Sequence, residues 1–389
     1  IALGVDFVGD FKSNMNKIKE RKDLLIYKSR TGIEEAIAER ENITYYYGEA
    51  QFLDDKVVEV NGEKITAEQI FINVGGRPFI PKDYQDIPYL TNTSILELTD
   101  LPEHLLIIGG SYIGLEFGQI FKRFGSKVTI IERGDKIISR EDNEVSETIH
   151  EFLKDEGIDF IFNAKIIEPS YKNDKITLSI NQNTEITGSH LLLAIGRKSN
   201  VDLVKVENTN ISINERGFID VDDYCQTNIE GVFALGDCNG KGAFTHTAYN
   251  DYQIVENYLF GDKSRKISNR IQTYGLFVDP PLGRCGMTKA QALSQGINVL
   301  EGRRDMANIA RAKEKAETNG FMSVLVNQDT DKIIGACVLG TGGDEIITSI
   351  LNVMYADKPY TLIRDSIVLH PTISELIPTT LERLKPIDG

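Results

Sequence analysis

The sequence is poor in cysteine and histidine, with four and five of them among 389 residues. No two cysteines form a C-x-x-C or a similarly close pair, which excludes a disulfide scaffold and favours buried thiols in a reducing cytoplasm. The histidines are scattered and none pairs with a cysteine, so we expect no metal site. The cysteines are Cys225, Cys238, Cys285 and Cys337.

Long apolar runs and clusters of positive charge are also absent. No apolar stretch approaches the roughly 20 residues of a membrane-spanning helix, and the formal net charge is −15. We therefore expect neither a membrane nor a nucleic acid as partner. The hydrophobic and charged contents, 41% and 26%, are ordinary for a globular protein, and the length is too great for one core, so we expect two or three domains.

The segment from Leu105 to Glu132 has the pattern of a βαβ unit. Leu105–Ile108 predicts a strand buried on both faces, and Lys127–Ile131 predicts a second strand. The helix expected between them ends at Gly125 and has apolar residues on one face, namely Ile113, Phe117, Ile120, Phe121 and Phe124. This order is typical of a dinucleotide-binding domain, in which a helix N-terminus faces a pyrophosphate.

The turn between the first strand and the helix carries a variant of the G-x-G-x-x-G fingerprint. Serine replaces the second glycine, a position that is small because the backbone approaches phosphate closely there. The buried strand before the turn, the amphipathic helix after it and the acid at the next strand end favour a nucleotide site over an ordinary turn with chance glycines. The six positions are Gly109, Gly110, Ser111, Tyr112, Ile113 and Gly114.

The acid at the end of the second strand bears on the choice of nucleotide. Glu132 can accept hydrogen bonds from both hydroxyls of an adenine ribose, which favours NAD over NADP. Arg133 beside it keeps the phosphorylated cofactor open, and its alternative role is that of a solvated surface charge.

Three further strand ends carry residues that suit a cofactor. Gly75 and Gly76 form a phosphate-sized turn that a proline closes, and Gly196 follows an apolar strand. Asp237 ends the short strand of GVFALGD, where an aspartate commonly holds a sugar or ribityl hydroxyl and otherwise caps a helix. The helix that begins in FTHTA, from Phe244, presents backbone N–H groups at its start.

The two ends of the chain differ in their predicted secondary structure. Near the N-terminus, Ser13 is expected to cap a helix that runs to about Glu39 with its apolar residues on one side. Strands are expected next, at Thr44–Tyr47, Val57–Val60 and Gln69–Val74, with Asn61-Gly62 as a hairpin turn. From about Lys266 strands precede helices, which predicts a separate α+β domain.

Seven motifs follow one another in the order GGRPFIP, GGSYIGLEF, AIGRKSN, GVFALGD, FTHTA, FVDPPLGRCGMT and LHPTISE. In order and spacing, over essentially the whole chain, they resemble the flavin-dependent pyridine nucleotide–disulfide oxidoreductases, a family that includes dihydrolipoamide dehydrogenase and mercuric reductase. The resemblance implies an α/β fold of FAD- and NAD(P)-binding doubly wound domains with a C-terminal α+β dimerisation domain. The implied boundaries are 1–93 for the FAD domain, 94–200 for the NAD(P) domain, 201–265 for the return of the FAD domain and 266–389 for the dimerisation domain.

The resemblance also implies roles for individual residues. His370 is implied as the acid–base group for a redox thiol of the partner subunit in a homodimer, and Glu375 would orient it. The residues implied to contact FAD are Gly48, Gly75, Gly76, Asp237, Ala243, Phe244, Thr245 and His246. Those implied to contact NAD(P)H are Gly109, Gly110, Ser111, Tyr112, Ile113, Gly114, Glu116, Glu132 and Gly196.

Two features of the family are missing from these 389 residues: the glycine turn for the ADP half of FAD and a C-x-x-x-x-C pair shortly after it. We therefore expect an N-terminally truncated chain that binds FAD poorly and is inactive by itself. For the whole enzyme, the resemblance implies electron transfer from NAD(P)H through FAD and a cysteine pair to a small-molecule disulfide or a related oxidant. The alternatives are a flavin-dependent NAD(P)H reductase or oxidase without disulfide chemistry, and a non-catalytic fragment that binds NAD and dimerises.

Overall fold

A computed structural model describes residues 12–181 and 184–387 of the chain. Its α-helices are α1 Met15–Ala38, α2 Tyr112–Phe124, α3 Asn143–Asp155, α4 Thr245–Phe260, α5 Lys289–Ser294, α6 Ala310–Glu314, α7 Gly343–Tyr355, α8 Thr361–Arg364 and α9 Leu376–Leu381. Short 3₁₀ helices lie at Lys82–Tyr84, Ser94–Glu97, Asn200–Asp202, Val206–Asn208, Gly236–Asn239, Ile267–Asn269 and Met306–Asn308.

The strands are numbered in chain order. They are β1 Ala50–Asp54, β2 Val57–Val60, β3 Glu63–Thr66, β4 Ile70–Ile72, β5 Gly76–Pro78, β6 His104–Ile108, β7 Lys127–Ile131, β8 Asp159–Ile161, β9 Ile166–Lys172, β10 Lys175–Ile180, β11 Thr184–Gly188, β12 His190–Leu193, β13 Arg197–Ser199, β14 Val232–Ala234, β15 Thr273–Leu276, β16 Leu282–Gly286, β17 Val299–Asp305, β18 Phe321–Asn327, β19 Lys332–Leu339 and β20 Lys385–Pro386.

The described residues divide into two compact units. Unit 1 contains residues 12–15, 80–195 and 271–387, and unit 2 contains residues 16–79 and 196–270. Because residues 80–195 and 271–387 belong to one unit, the expected division between a nucleotide domain and a dimerisation domain stays a prediction.

The first layer of unit 1 is a parallel sheet in the order β12-β6-β7-β8. Strand β6 lies between two parallel neighbours, which explains its apolar sequence: Leu105, Leu106 and Ile107 are all fully buried. Helix α2 packs on this sheet through Gly118, where a Cβ atom would lie 3.0 Å from a methyl carbon of Ile130. The close approach of helix and strand fixes the position of the turn that joins them.

Unit 1 also contains two antiparallel sheets. One has three strands in the order β11-β10-β9, and the second has six strands in the order β15-β16-β19-β18-β17-β20. Helix α7 packs on the larger sheet, where Ile347 and Ile350 join a core with Met322, Val324 and Val338. Strands β15, β16, β18 and β19 precede helices α7, α8 and α9, as the sequence predicts after Lys266, but α5 and α6 lie between strands and β20 follows α9.

Unit 2 is built from an antiparallel sheet, β1-β2-β3, and two strand pairs, β13-β5 and β14-β4. The pair β14-β4 is parallel, and Val232 and Ala234 of β14 are fully buried. The turn between β2 and β3 is the Asn61-Gly62 hairpin turn, with both residues at positive φ. The sequence had predicted this turn but not strand β3 as its second arm.

Some local predictions are wrong. Helix α1 is formed close to the predicted span, at Met15–Ala38, but its Leu25, Ile26 and Ile33 are exposed. Residues 44–47 form no strand, and β1 at Ala50–Asp54 takes that place. Of the apolar face predicted for α2, Phe121 is buried but Ile120 is exposed, and the buried residues of the helix also include Gly114, Leu115 and Gly118. Spacing alone did not fix which face would be covered.

Within residues 12–181 and 184–387, the structure has no helix of the length and apolar character that crossing a bilayer requires. In the same residues no group of three or more His, Cys, Asp or Glu side chains is placed to hold a metal ion.

Candidate active site and nucleotide-binding turns

The turn from Gly109 to Gly114 is closed by backbone contacts. Gly109 has φ +109°, and a Cβ atom there would lie 2.4 Å from the carbonyl oxygen of Ala194. A Cβ atom on Gly114 would lie 1.9 Å from the carbonyl oxygen of Gly109. Both positions therefore require glycine, one because of its neighbour strand and one because the turn folds back on itself. Ser111 is exposed and makes no side-chain cap on α2, which begins at Tyr112.

Glu132 supports this turn directly. Its Oε2 accepts the backbone N–H of Gly110 at 2.7 Å, and its Oε1 accepts the backbone N–H of Gly134 at 2.8 Å. The carbonyl oxygen of Gly110 in turn accepts the backbone N–H of Ile138 at 2.9 Å. The structure thus brings Gly109–Gly114 and Glu132 together, as the sequence predicts, and adds a structural duty for the carboxylate that the sequence did not suggest.

The start of α2 carries two polar side chains in a partly buried setting. Burial raises the pKa of the Tyr112 phenol, whose ring meets that of Tyr274 edge-on at 5.9 Å between centroids. Burial also raises the pKa of Glu116, although the backbone N–H of Phe277 donates to its Oε1 at 2.9 Å and opposes that rise. Both side chains stay candidates for contact with NAD(P)H.

In unit 2 the structure brings Gly76 and Asp237 together. A Cβ atom on Gly76 would lie 3.4 Å from Oδ2 of Asp237 and 3.0 Å from the carbonyl oxygen of Lys198. Arg197 joins them, because its Nη2 donates to the carbonyl oxygen of Gly76 at 2.5 Å and its Nε lies 3.4 Å from Asp237 Oδ2. Sequence reasoning missed Arg197, although its place directly after Gly196 was a signal.

The backbone around this cluster leaves room for a ligand. At Gly75, with φ +64°, and at Gly196, with φ +133°, no atom of the described residues, apart from the chain neighbours, lies within 4 Å of the place a Cβ would take. Two glycines that face open space beside an aspartate suit the phosphate and polyol parts of a nucleotide cofactor. Gly196 belongs to unit 2, so its closeness to the NAD(P)H pyrophosphate stays a prediction.

The remaining positions implied for FAD lie in two other parts of unit 2. Gly48 is exposed, and a Cβ atom there would meet the Asn61 side chain at 2.4 Å. Phe244 and His246 stack their rings with centroids 5.3 Å apart at the start of α4. Ala243 and Thr245 are exposed beside them. Their contact with FAD stays a prediction.

A buried ion pair that the sequence did not reveal holds the Asp237 turn in place. Asp251 is fully buried on α4, and its Oδ2 accepts the backbone N–H of Gly236 and the side-chain amide of Asn239, each at 2.8 Å. Its Oδ1 accepts from Arg270. No local pattern marks an aspartate in mid-helix as the support of a distant turn, because its partners come from other segments.

The pair predicted as the acid–base site is formed. Nδ1 of His370 lies 2.7 Å from Oε2 of Glu375, the residue that precedes α9. An ionised carboxylate can only accept, so Nδ1 carries the proton and Nε2 is left to face outward. The His370 side chain is 78% exposed and that of Glu375 is 14% exposed. The geometry fits a base held in one tautomer at the protein surface.

The cysteines are placed differently from a reactive thiol. All four are free and buried. Burial raises the pKa of Cys238 to about 11 and that of Cys285 to about 12, and it also raises the pKa values of Cys225 and Cys337. A buried thiol with a raised pKa is inert as a nucleophile.

The geometry of these turns can be set beside known proteins. The family model of the pyridine nucleotide-disulphide oxidoreductases matches residues 10–251, and that of the dimerisation domain of the same family matches residues 273–381. The chain belongs to this family. The fold is accordingly α/β, with FAD- and NAD(P)-binding domains and a C-terminal dimerisation domain, as the motifs predict.

Two curated relatives in the family illustrate the likeness. The probable pyridine nucleotide-disulfide oxidoreductase RclA of Escherichia coli is 34% identical over 351 residues, which are 87% of this chain and 78% of RclA. The mercuric reductase of Staphylococcus aureus is 31% identical over 349 residues, which are 88% of this chain but 64% of that enzyme. This chain thus spans less than two thirds of the length of that mercuric reductase.

A solved structure agrees. The Cu(II) complex of the HOCl-induced flavoprotein disulfide reductase RclA from E. coli superposes with a TM-score of 0.90 at 33% identity, over 94% of this chain and 85% of that one. The family is one of flavin-dependent, disulfide-type oxidoreductases that use FAD and NAD(P)H, and membership places this chain in that enzyme class.

Proposed function

We propose that this chain supplies the NAD(P)H site, part of the FAD site and the acid–base residue of an enzyme that passes electrons from NAD(P)H to a small-molecule disulfide or a related oxidant. The observation that carries the proposal is the His370–Glu375 pair, with 2.7 Å between Nδ1 and Oε2, in a chain that also has the Gly109–Gly114 turn. A flavin reductase or oxidase without disulfide chemistry has no thiol to protonate, so the pair favours the disulfide reaction.

In this proposal FAD, when bound, carries electrons between the nicotinamide and the disulfide. Gly75, Gly76 and Asp237 would lie along it, because they combine open backbone with a carboxylate. Ala243, Phe244, Thr245 and His246 would lie at its ring end and Gly48 farther along it. The chain carries no second glycine turn of the Gly109–Gly114 type, so we propose that it binds FAD weakly.

The four cysteines do not supply the redox pair of this reaction, because each is buried with a raised pKa. We propose that the 389-residue chain by itself does not turn over a disulfide. A purified chain that lacks a flavin absorption band and shows no NADH-dependent disulfide reduction is the expected result. A yellow protein, or turnover, would contradict these two statements.

Glu132 carries the proposed preference for NADH. Its carboxylate already accepts two backbone N–H groups, and the remaining lone pairs can accept from ribose hydroxyls, whereas its charge repels a 2′-phosphate. Glu132→Gln keeps the size and one acceptor but removes the charge. We expect it to lower the ratio of NADPH to NADH dissociation constants, measured by nucleotide fluorescence. An unchanged ratio would remove Glu132 from the ribose site.

His370 is proposed to exchange a proton with a thiol during disulfide reduction. Glu375 holds the ring through Nδ1, which leaves Nε2 as the nitrogen that can exchange a proton with a thiol. Because the 389-residue chain by itself is proposed to be inactive, the test uses a form of the whole enzyme that turns over a disulfide. In that form, His370→Ala should slow disulfide turnover far more than flavin reduction by NADH. Equal slowing of both steps would overturn the assignment.

The dimerisation domain supports a homodimer, and we propose that His370 acts on the partner subunit's thiols. Next to His370 runs an apolar strip in which Ile367 is 100% exposed and Leu369 is 77% exposed. Large exposed apolar side chains in a row favour an interface. Ile367→Asp should shift the chain toward monomer in light scattering, while Ile120→Asp, at an exposed position of α2, should not.

A cytoplasmic location also remains a proposal. It is supported by four free cysteines in a chain of this size.

A further inference from the structure

A chain of contacts connects the glycine turn of unit 1 with a buried ion pair. The ring of Tyr112, the first residue of α2, meets the ring of Tyr274 at 5.9 Å and an interplanar angle of 73°. The hydroxyl of Tyr274, on β15, donates to Oε1 of Glu141. Glu141 is bound in turn by Arg284, on β16, through Nη2 and Nε. Tyr274 and Arg284 are paired residues of the neighbouring strands β15 and β16, so this strand pair and the distant segment of Glu141 meet at one carboxylate.

The ion pair at the end of this chain of contacts is buried from solvent. The side chains of Glu141 and Arg284 are 0% and 2% exposed, and Asp142 lies 3.3 Å from the same guanidinium nitrogen. Burying two charges costs desolvation energy that their attraction barely repays, and well-packed apolar residues of similar size would stabilise the fold as well. Stability therefore gives no sufficient reason for the pair, whereas a fixed direction for Tyr274 does.

Glu141 is also connected to the glycine turn through backbone hydrogen bonds. Its backbone N–H donates to the carbonyl oxygen of Ile138 at 2.8 Å, and the backbone N–H of Ile138 donates to the carbonyl oxygen of Gly110 at 2.9 Å. One buried carboxylate residue is thus linked to the turn through backbone on one side and through two aromatic rings on the other. The start of α2 has little freedom to rotate or slide as long as both links are present.

We propose that Tyr274, together with Glu141 and Arg284, is a positioning residue for NAD(P)H. It holds Tyr112 so that the first amide groups of α2 keep the direction in which a pyrophosphate is bound. This inference rests on the proposed function, because it takes Gly109–Gly114 as the nucleotide site. Tyr274 itself does not contact the nucleotide in this proposal, and its effect passes through Tyr112.

The test is a double-mutant cycle on the dissociation constant for NADH, measured by fluorescence titration of the full 389-residue chain. Tyr274→Leu removes the ring, and Tyr112→Leu removes its partner. Aromatic pairs of this geometry contribute enough that we expect Tyr274→Leu to weaken NADH binding about 3- to 10-fold. In the Tyr112→Leu background the same change should have no further effect.

Two variants protect the experiment against a general loss of structure. Tyr274→Phe keeps the ring but loses the bond to Glu141, and should weaken binding less than Tyr274→Leu does. If Tyr274→Leu does not fold, Tyr274→Phe is measured in both backgrounds instead. The matched control is Tyr171→Phe, which removes a hydroxyl that donates to Asp174 at 2.9 Å on the β9–β10 hairpin of the same unit. It should leave the dissociation constant unchanged.

Several results would overturn the proposal. NADH binding that Tyr274→Leu leaves unchanged or tightens, or an equal change in both backgrounds, shows that Tyr274 does not act through Tyr112. A lower melting temperature without a change in affinity means a structural role alone. A parent chain that binds NADH no better than Gly114→Ala contradicts the nucleotide site itself, and with it this inference. The control variant and the Gly114→Ala comparison thus separate the two kinds of failure.

Discussion

Two glycine segments, Gly109–Gly114 in unit 1 and Gly75–Gly76 in unit 2, are held by different contacts. The first is closed by backbone atoms, with 1.9 Å between a hypothetical Cβ of Gly114 and the carbonyl oxygen of Gly109. The second faces open space at Gly75 and is flanked by charged side chains. Arg77, the next residue, binds both carboxylate oxygens of Asp202, at 2.8 and 2.7 Å.

The difference concerns how each segment should respond to its surroundings. Steric closure does not depend on salt or pH, because it rests on hard contacts between backbone atoms. Exposed ion pairs weaken with salt and with protonation of the carboxylate. The steric contacts within the Gly109–Gly114 turn should therefore be insensitive to salt and pH, although the carboxylate of Glu132 also accepts a hydrogen bond from Gly110. The region around Gly75, which is flanked by charged side chains, should respond more to solution conditions.

The largest effect is expected from Gly114→Ala. The added methyl group must displace backbone of the same turn, so we expect a loss of about 3 kcal/mol in the free energy of unfolding, the upper end for overpacking. Urea denaturation measures it. Gly32→Ala, in α1, is the control, because nothing lies within 4 Å of its Cβ position. If Gly114→Ala lowers the free energy of unfolding no more than this control does, the turn is not closed by steric contact.

A smaller loss is expected from Gly75→Ala. There is room for the methyl group, so the cost comes from φ +64° alone, and that conformation costs an L-residue about 1–2 kcal/mol. Gly75→Asn should cost less than Gly75→Ala in the same denaturation experiment, because asparagine tolerates the left-handed region. If alanine and asparagine cost the same, something other than backbone conformation limits this position.

The contribution of Glu116, near the Gly109 turn, to the stability of the fold should decrease as the pH rises. Burial raises its pKa in the folded chain above the unfolded value, so its contribution to stability is complete below the unfolded pKa and is lost as the pH rises through the folded pKa. Glu116→Gln should thus match the parent in acid and exceed it at neutral pH, by less than about 1 kcal/mol. Melting temperatures across the pH range test this, with exposed Glu147→Gln as control. A gap that does not grow with pH contradicts it.

The contribution of Asp202, near Gly75, should decrease as the pH falls, which is the opposite dependence, and the effect should be the smallest of the four. The hydrogen bonds from Arg77, and then that from Lys198, lower the pKa of Asp202, so its contribution is present above the unfolded pKa and is lost as the pH falls through the folded pKa. Since the pair is largely exposed, Asp202→Asn should cost only about 0.2–1 kcal/mol at neutral pH. The difference in melting temperature should close in acid and shrink with added salt. Persistence in high salt would count against an ionic origin.

Local sequence patterns predicted much of the frame around these sites. Val57–Val60 and Lys127–Ile131 are strands with the expected ends. Each is a compact apolar or alternating run, and such a run carries its own signal. The helix α1 fails this rule, because an apolar face indicates burial only where another element covers it, and Leu25 and Ile33 stay exposed.

Some residues of the candidate site could likewise be predicted from the sequence, and others could not. The Gly109–Gly114 turn was predictable, since a strand, a glycine turn and a helix succeed one another within one short segment. The pair of His370 and Glu375 was found through the resemblance, and its members are five positions apart in the sequence. Arg197 and Asp251 were missed, because their partners Asp237 and Arg270 come from other segments of unit 2.

The sequence by itself determined the family, the order of strands and helices around the first nucleotide turn, and the glycines that this turn requires. Those features depend on interactions between residues a few positions apart. Tertiary structure alone decided that Glu141 meets Arg284, 143 residues later, and that Tyr274 lies against Tyr112. A charge or a ring in the sequence does not specify its partner, because pairing over such distances depends on how the whole unit packs.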